Sequence, residues 1–112
     1  MTTKPPLRLI FVCTGNLCRS PMAEGMLRAK LGVLGLEQGA IIDSVGMHAE
    51  VGRSPESFAV ELAVESGADI AGLLSRPFEL DDFSRFDHFI AMDFGHSDYL
   101  RSTSPDGHVL NV

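Results

Sequence analysis

"LRLIFVCTGNLCRSP", Leu7 to Pro21, joins two kinds of segment across one short connection. Leu7 to Val12 is a β-branched and aromatic run, the composition of a buried strand. It stops at a Gly-Asn turn signal, and from Pro21 apolar residues return near helical spacing at Met22, Met26, Leu27, Ala29, Leu31 and Leu34. Pro21 suits a first helical position, and Gly32 and Gly35 mark the far end. A buried strand, a tight loop and an amphipathic helix in that order open an α/β domain.

The remaining chain repeats the alternation. Ala40 to Val45 reads as a second strand, followed by the Gly- and Pro-punctuated "GMHAEVGRSP". Ser54 and Pro55 signal another helix start, with Phe58, Ala59, Leu62 and Ala63 as its apolar stripe and Gly67 as its stop. A short helical segment is expected near Glu79 to Ser84, a third strand over His88 to Met92, and a helix over Gly95 to Arg101. "STSPDG" is a turn cluster, and "HVLNV" reads as a fourth strand. The expected fold is one doubly wound domain over residues 1–112: about four parallel strands, helices on both faces, and an anion-binding loop after the first strand.

Bulk properties narrow the function. Of 112 residues, 45% are hydrophobic, enough for a single core. Nine Lys and Arg against fifteen Asp and Glu give a formal charge of −6, which argues against nucleic acid or an anionic membrane as partner. No apolar run reaches the roughly 20 residues that cross a bilayer, and the N-terminal run does not fit a secretory signal, so the expected location is cytoplasmic. Cys13 and Cys18 are too few for a disulfide scaffold. With His48, His88, His96 and His108 scattered, no metal site is expected, and no cofactor either.

The loop itself carries chemistry. A loop feeding a helix amino terminus exposes unpaired N–H groups and the positive end of the helix dipole, both of which attract phosphate-like anions. Gly15 and Asn16 tolerate the backbone angles needed to curl such a loop. Arg19 adds a planar fork for two oxyanion oxygens. The same field favours an ionised, nucleophilic Cys13. Ser20 has two readings, a hydroxyl donor to the Cys13 sulfur or a helix cap ahead of Pro21. Lysine-ended nucleotide loops do not match this stretch. The charges of "ELDDF" read as a solvated helix end, and Met22 and Met26 as core fillers.

"FVCTGNLCRSPMAEGMLR" resembles the strand, signature loop and first helix of the low-molecular-weight protein tyrosine phosphatases, and "DSVG", "VGRSP", "GADIAGLLSRPF" and "DDFSRFDHFIAMD" follow that family's later order. The resemblance implies hydrolysis of aryl phosphates, on a phosphorylated protein or a small molecule, through a cysteinyl phosphate. Cys13 would be the nucleophile, Arg19 the phosphoryl clamp and Ser20 the support of the thiolate. Thr14, Gly15, Asn16, Leu17, Cys18 and Arg19 would line the phosphate, with Asn16 and Ser44 holding the loop in shape. Cys18 would be the family's second loop cysteine, able to shield Cys13 by a reversible disulfide.

Three departures stand beside that likeness. The Asp-Pro-aromatic general-acid segment and the last helix of the family have no counterpart here, so the domain is expected to be truncated at its C-terminus. Asp93 and Asp106 are candidate substitute acids, each with a competing structural reading. Ala49 stands where an aromatic wall is usual, and Leu73 and Leu74 replace polar residues, as a more apolar rim or partner surface. Two further functions stay open: a catalytically impaired module that binds phosphate or phosphotyrosine, and an arsenate reductase, which the absence of cysteines after Cys18 disfavours. A sheet face left uncovered at a natural terminus would imply an apolar patch and self-association.

Overall fold

The computed structural model describes residues 5–104 and 108–111. Four strands, β1 (Leu7–Cys13), β2 (Ala40–Gly46), β3 (His88–Ala91) and β4 (His108–Asn111), form one parallel sheet in the order β2-β1-β3-β4. The register runs Val12 opposite Val45 and Ala91, which puts the ends of β1, β2 and β3 at one edge. Between the strands lie α1 (Arg19–Val33), α2 (Ser57–Glu65), α3 (Asp82–Arg85) and α4 (Phe94–Thr103).

Strand alternation divides the core. Ile10, Val12, Val45 and Phe89 gather with Leu100 of α4 and with Phe86. The opposite face receives α1 across β1 and β2, and α2 packs against α1 with the segment that follows it, Ala59 and Ala63 of α2 clustering with Ala68 and Ile70. The doubly wound architecture is therefore present, with helices on both faces. On the α1 side an apolar cleft of about 380 Å³ lies among Leu7, Leu9, Leu27, Leu31 and Leu36.

Local details correct several expectations. α1 begins at Arg19, so Pro21 is its third residue, where a missing N–H still costs nothing. Gly35, at φ 70°, follows the helix end as foreseen. Ser54-Pro55 does not start α2, which begins at Ser57 after Glu56. Of its expected stripe only Ala59 and Ala63 are buried, while Phe58 and Leu62 are exposed: the face that turns to the core carries the two alanines. Met22, partly buried, packs against the core, whereas Met26 is exposed and fills none of it. The "ELDDF" reading fails at Asp82, which is fully buried and ion-paired to Arg76 and Arg85. Leu73 packs inward and Leu74 is exposed. Asp106 lies outside the described residues. No described helix is long and apolar enough to cross a membrane.

Candidate active site

β1 delivers Cys13 to the carboxyl edge of the sheet, and the bends of Thr14–Cys18 turn the chain into α1. Cys13 is buried, and its Sγ lies 2.9 Å from Ser20 Oγ while accepting the Asn16 amide at 3.2 Å. Ser20 thus takes the sulfur-facing role, and α1 has no side-chain cap bond. Among the described residues, the amides of Gly15, Leu17 and Cys18 meet no acceptor within the chain. They stand beside the first helical amides, which lack partners by helix geometry. This is a donor-rich loop around one sulfur.

The curl rests on Asn16, not Gly15. Asn16 holds φ 57°, a left-handed conformation that Asn tolerates, whereas Gly15 shows no positive φ. Three bonds lock it: its Nδ2 donates to Ser20 Oγ at 2.8 Å and Ser44 Oγ at 3.0 Å, and its Oδ1 accepts the Arg76 amide at 3.0 Å. The loop is pinned outside as well, since Cys13 O accepts from the Met47 amide, Thr14 O from the His48 amide and Leu17 O from the Glu56 amide, each at 2.8 Å. Gly46 lets β2 pass this close: a Cβ there would lie 2.6 Å from Thr14 O and 2.9 Å from Asn16 N.

Arg19 is exposed at the mouth, donating from Nη1 to Met92 O at 2.9 Å, just past β3. Cys18 is half-buried, and both cysteines are free thiols. Burial, then the neighbouring Cys13, push the Cys18 thiol up against the pull of Arg19, so it stays protonated at neutral pH. Asp93 caps α4 by accepting the His96 amide at 3.0 Å, and its other oxygen lies 3.3 Å from His96 Nε2. The structural reading of Asp93 therefore holds. His96 Nε2 in turn meets Thr14 Oγ1 at 3.0 Å, and a cleft of about 430 Å³ opens beside it among Met47, His48, Phe78 and Tyr99.

Sequence reasoning missed four supports: Glu24, Gly46, Arg76 and His96. Glu24 was visible as a charge sharing a helix face with Ser20, Pro21 and Gly25, all buried. Its carboxylate accepts Ser44 Oγ at 2.6 Å and the Arg28 guanidinium, which also reaches Ile42 O. Burial pushes the Glu24 carboxyl above its ordinary range, against the Ser44 hydrogen bond and the Arg28 charge. Arg76 joins Asp43 and Asp82, both at 2.9 Å. Partial burial opposes its charge, but hydrogen bonds to Asp82 and then Asp43 outweigh that and leave the guanidinium more basic than usual. The contact of His96 with Thr14 had no local signal, because the two are 82 positions apart.

Residues 8–110 match the family model described as low molecular weight phosphotyrosine protein phosphatase. A low molecular weight protein-tyrosine-phosphatase of Streptomyces coelicolor is 42% identical over 101 residues, covering 88% of this chain and 60% of that protein. The crystal structure of YfkJ from Bacillus subtilis superposes with a TM-score of 0.89 at 32% identity, covering 98% of this chain and 72% of that one. The YwlE arginine phosphatase from Geobacillus stearothermophilus gives 0.78 at 33% identity, covering 90% and 62%. The chain spans about three fifths of the length of the curated relatives it matches.

Proposed function

The chain belongs to the low molecular weight phosphotyrosine protein phosphatase family, and on that footing we propose that it hydrolyses aryl phosphate monoesters through a cysteinyl phosphate on Cys13. The observation that carries the reading is the Cys13 sulfur at the floor of the donor-lined loop, with Ser20 and the Asn16 amide directed at it. The Cys13 thiolate attacks phosphorus, the ester P–O bond breaks, and the phenolate leaves and takes its proton from water. A second water then attacks phosphorus, the S–P bond breaks, and inorganic phosphate and the thiolate are released. Unpaired amides of the loop and Arg19 stabilise the charge spread over the equatorial oxygens. Arg19 needs only to exchange Met92 O for a phosphoryl oxygen.

The Cys18 thiol is reserved for a different job. Held protonated, it does not compete as nucleophile and is available to pair with Cys13 under oxidation. Reduced thiols suit the cytoplasm. A second substrate class is the phosphoramidate of arginine, because one solved relative is named an arginine phosphatase and Ala49 supplies no aromatic wall. Phosphotyrosyl and phosphoarginyl peptides compared side by side decide between the two.

Replacement of Cys13 by Ser tests the mechanism. Turnover of p-nitrophenyl phosphate is expected to vanish while inorganic phosphate or vanadate still binds. Unchanged turnover in that variant rules out the thiol mechanism. Phosphate binding without turnover or trapped phosphocysteine in the unsubstituted protein identifies a binding module instead.

A further inference from the structure

A chain of hydrogen bonds runs from the Cys13 sulfur to a buried carboxylate, that of Glu24. Ser20 Oγ lies 2.9 Å from Cys13 Sγ, Asn16 Nδ2 bridges Ser20 and Ser44, and Ser44 Oγ lies 2.6 Å from Glu24 Oε1. The directions of these bonds follow from donor inventory alone. Arg76 N–H can only donate, so Asn16 Oδ1 must face it and Nδ2 must face both serines. Ser44 therefore accepts from Asn16, and its own proton needs another acceptor. Glu24 is that acceptor, and Arg28 holds its second oxygen. Ser20, having accepted from Asn16, is left to donate to the sulfur or to Val45 O, which is farther at 3.4 Å.

We propose that Glu24, anchored by Arg28, is a positioning residue of the phosphate loop: by taking the Ser44 proton it keeps Asn16 in its left-handed conformation and keeps Ser20 aimed at Cys13. The inference rests on the phosphate-loop reading above and names what holds that loop in its working shape. Glu24 is a costly choice for a purely structural part. It is 3% exposed, and burial disfavours its charge despite Arg28 and Ser44. A buried ion pair of this kind is weak evidence for a stabilising role, and the bonds that Glu24 makes lead to the loop. Its charge is also wrong for an anion site, since a negative group behind the loop repels phosphate. Any benefit to anion binding must travel through the hydrogen bonds.

That conflict of signs supplies the test. Glu24→Gln keeps the shape and removes the charge. Arg28 and Ser44 use different carboxylate oxygens, so in the amide one of them meets an NH2 donor in place of an acceptor, and the cation is the stronger claimant for the remaining oxygen. If Glu24 acted only through its charge, Glu24→Gln would bind inorganic phosphate more tightly. Positioning predicts the reverse: phosphate Kd rises about fivefold, the worth of one lost hydrogen bond, while the urea midpoint stays level or rises. Alkylation of Cys13 by iodoacetamide at neutral pH, read by site-resolved mass spectrometry, slows in parallel. This second readout needs no phosphatase activity, so failure of the phosphatase reading and failure of the positioning role remain distinguishable. Unchanged or tighter phosphate binding with unchanged alkylation overturns the proposal, as does a loss of binding matched by a loss of stability. Should Glu24→Gln not fold, Ser44→Ala cuts the same chain one link nearer the loop. An equal loss supports the role, and no loss overturns it. Where both variants fold, the double variant must lose no more than either single one.

Discussion

Asn16 bears the curvature of the loop because an L-residue at φ 57° is held there only by surroundings that over-determine it. Its three side-chain bonds come from α1, β2 and the segment before α3, so the loop's shape is set by elements far apart in sequence. Ser20 is the other residue whose function depends on a single distance. With its hydroxyl 2.9 Å from the sulfur, Ser20→Ala removes a hydrogen bond to a group that is charged when reactive. The expected result is about a tenfold slowing of Cys13 alkylation at neutral pH, with the fold retained by circular dichroism. A helix cap would instead show its loss in the thermal midpoint and leave the alkylation rate alone.

At the scale of elements, the contact between α1 and the segment after α2 is built from small residues. A Cβ at Gly25 would lie 2.2 Å from Ile70 Cγ2, and Ile70 is fully buried and β-branched, hence stiff at χ1. Gly25→Ala therefore forces α1 outward, although alanine has the better helix propensity. The overpacking is expected to cost about 1–3 kcal/mol, measurable as a lower urea midpoint. Since α1 carries Arg19, Ser20 and Glu24, the same variant should also weaken phosphate binding. α4 contributes differently: its Asp93 cap fixes the helix start, and one turn later His96 reaches Thr14.

For the whole molecule, the buried Glu24 links stability to pH. Burial raises its folded-state carboxyl above the ordinary value of 4.5, despite Arg28 and Ser44 and with help from the nearby charge of Asp43. Between 4.5 and the raised value the folded protein holds a proton that the unfolded chain lacks. The Glu24 contribution is thus complete below 4.5 and is lost as pH rises through the folded value. Relative to Glu24→Gln, the unsubstituted protein is expected to gain stability as pH falls from neutral towards 4.5, then to show a constant difference. Parallel urea titrations at stepped pH measure this. A difference that does not vary with pH would mean that Glu24 titrates normally in the fold.

Local pattern located the strands, the approximate course of the helices and the loop after β1, because β-branched runs, helical spacing and Gly-Asn turn chemistry are properties of consecutive residues. Cys13, Arg19, Asn16 and Ser20 were legible for that reason, and Ser44 through resemblance. Which hydroxyl faces the sulfur, which loop residue turns left-handed, and which carboxylate is buried were decided by partners 20 to 82 positions away. Asp82 read as part of a solvated helix end until the fold buried it beside Arg76, and Glu24, one helical turn from Arg28, gave no sign that Ser44 of β2 would meet it. Local sequence thus placed Cys13 in the turn between β1 and α1, and only the packing of α1 against β2 settled how that turn is held, since a hydrogen bond has a direction that spacing along a chain does not carry.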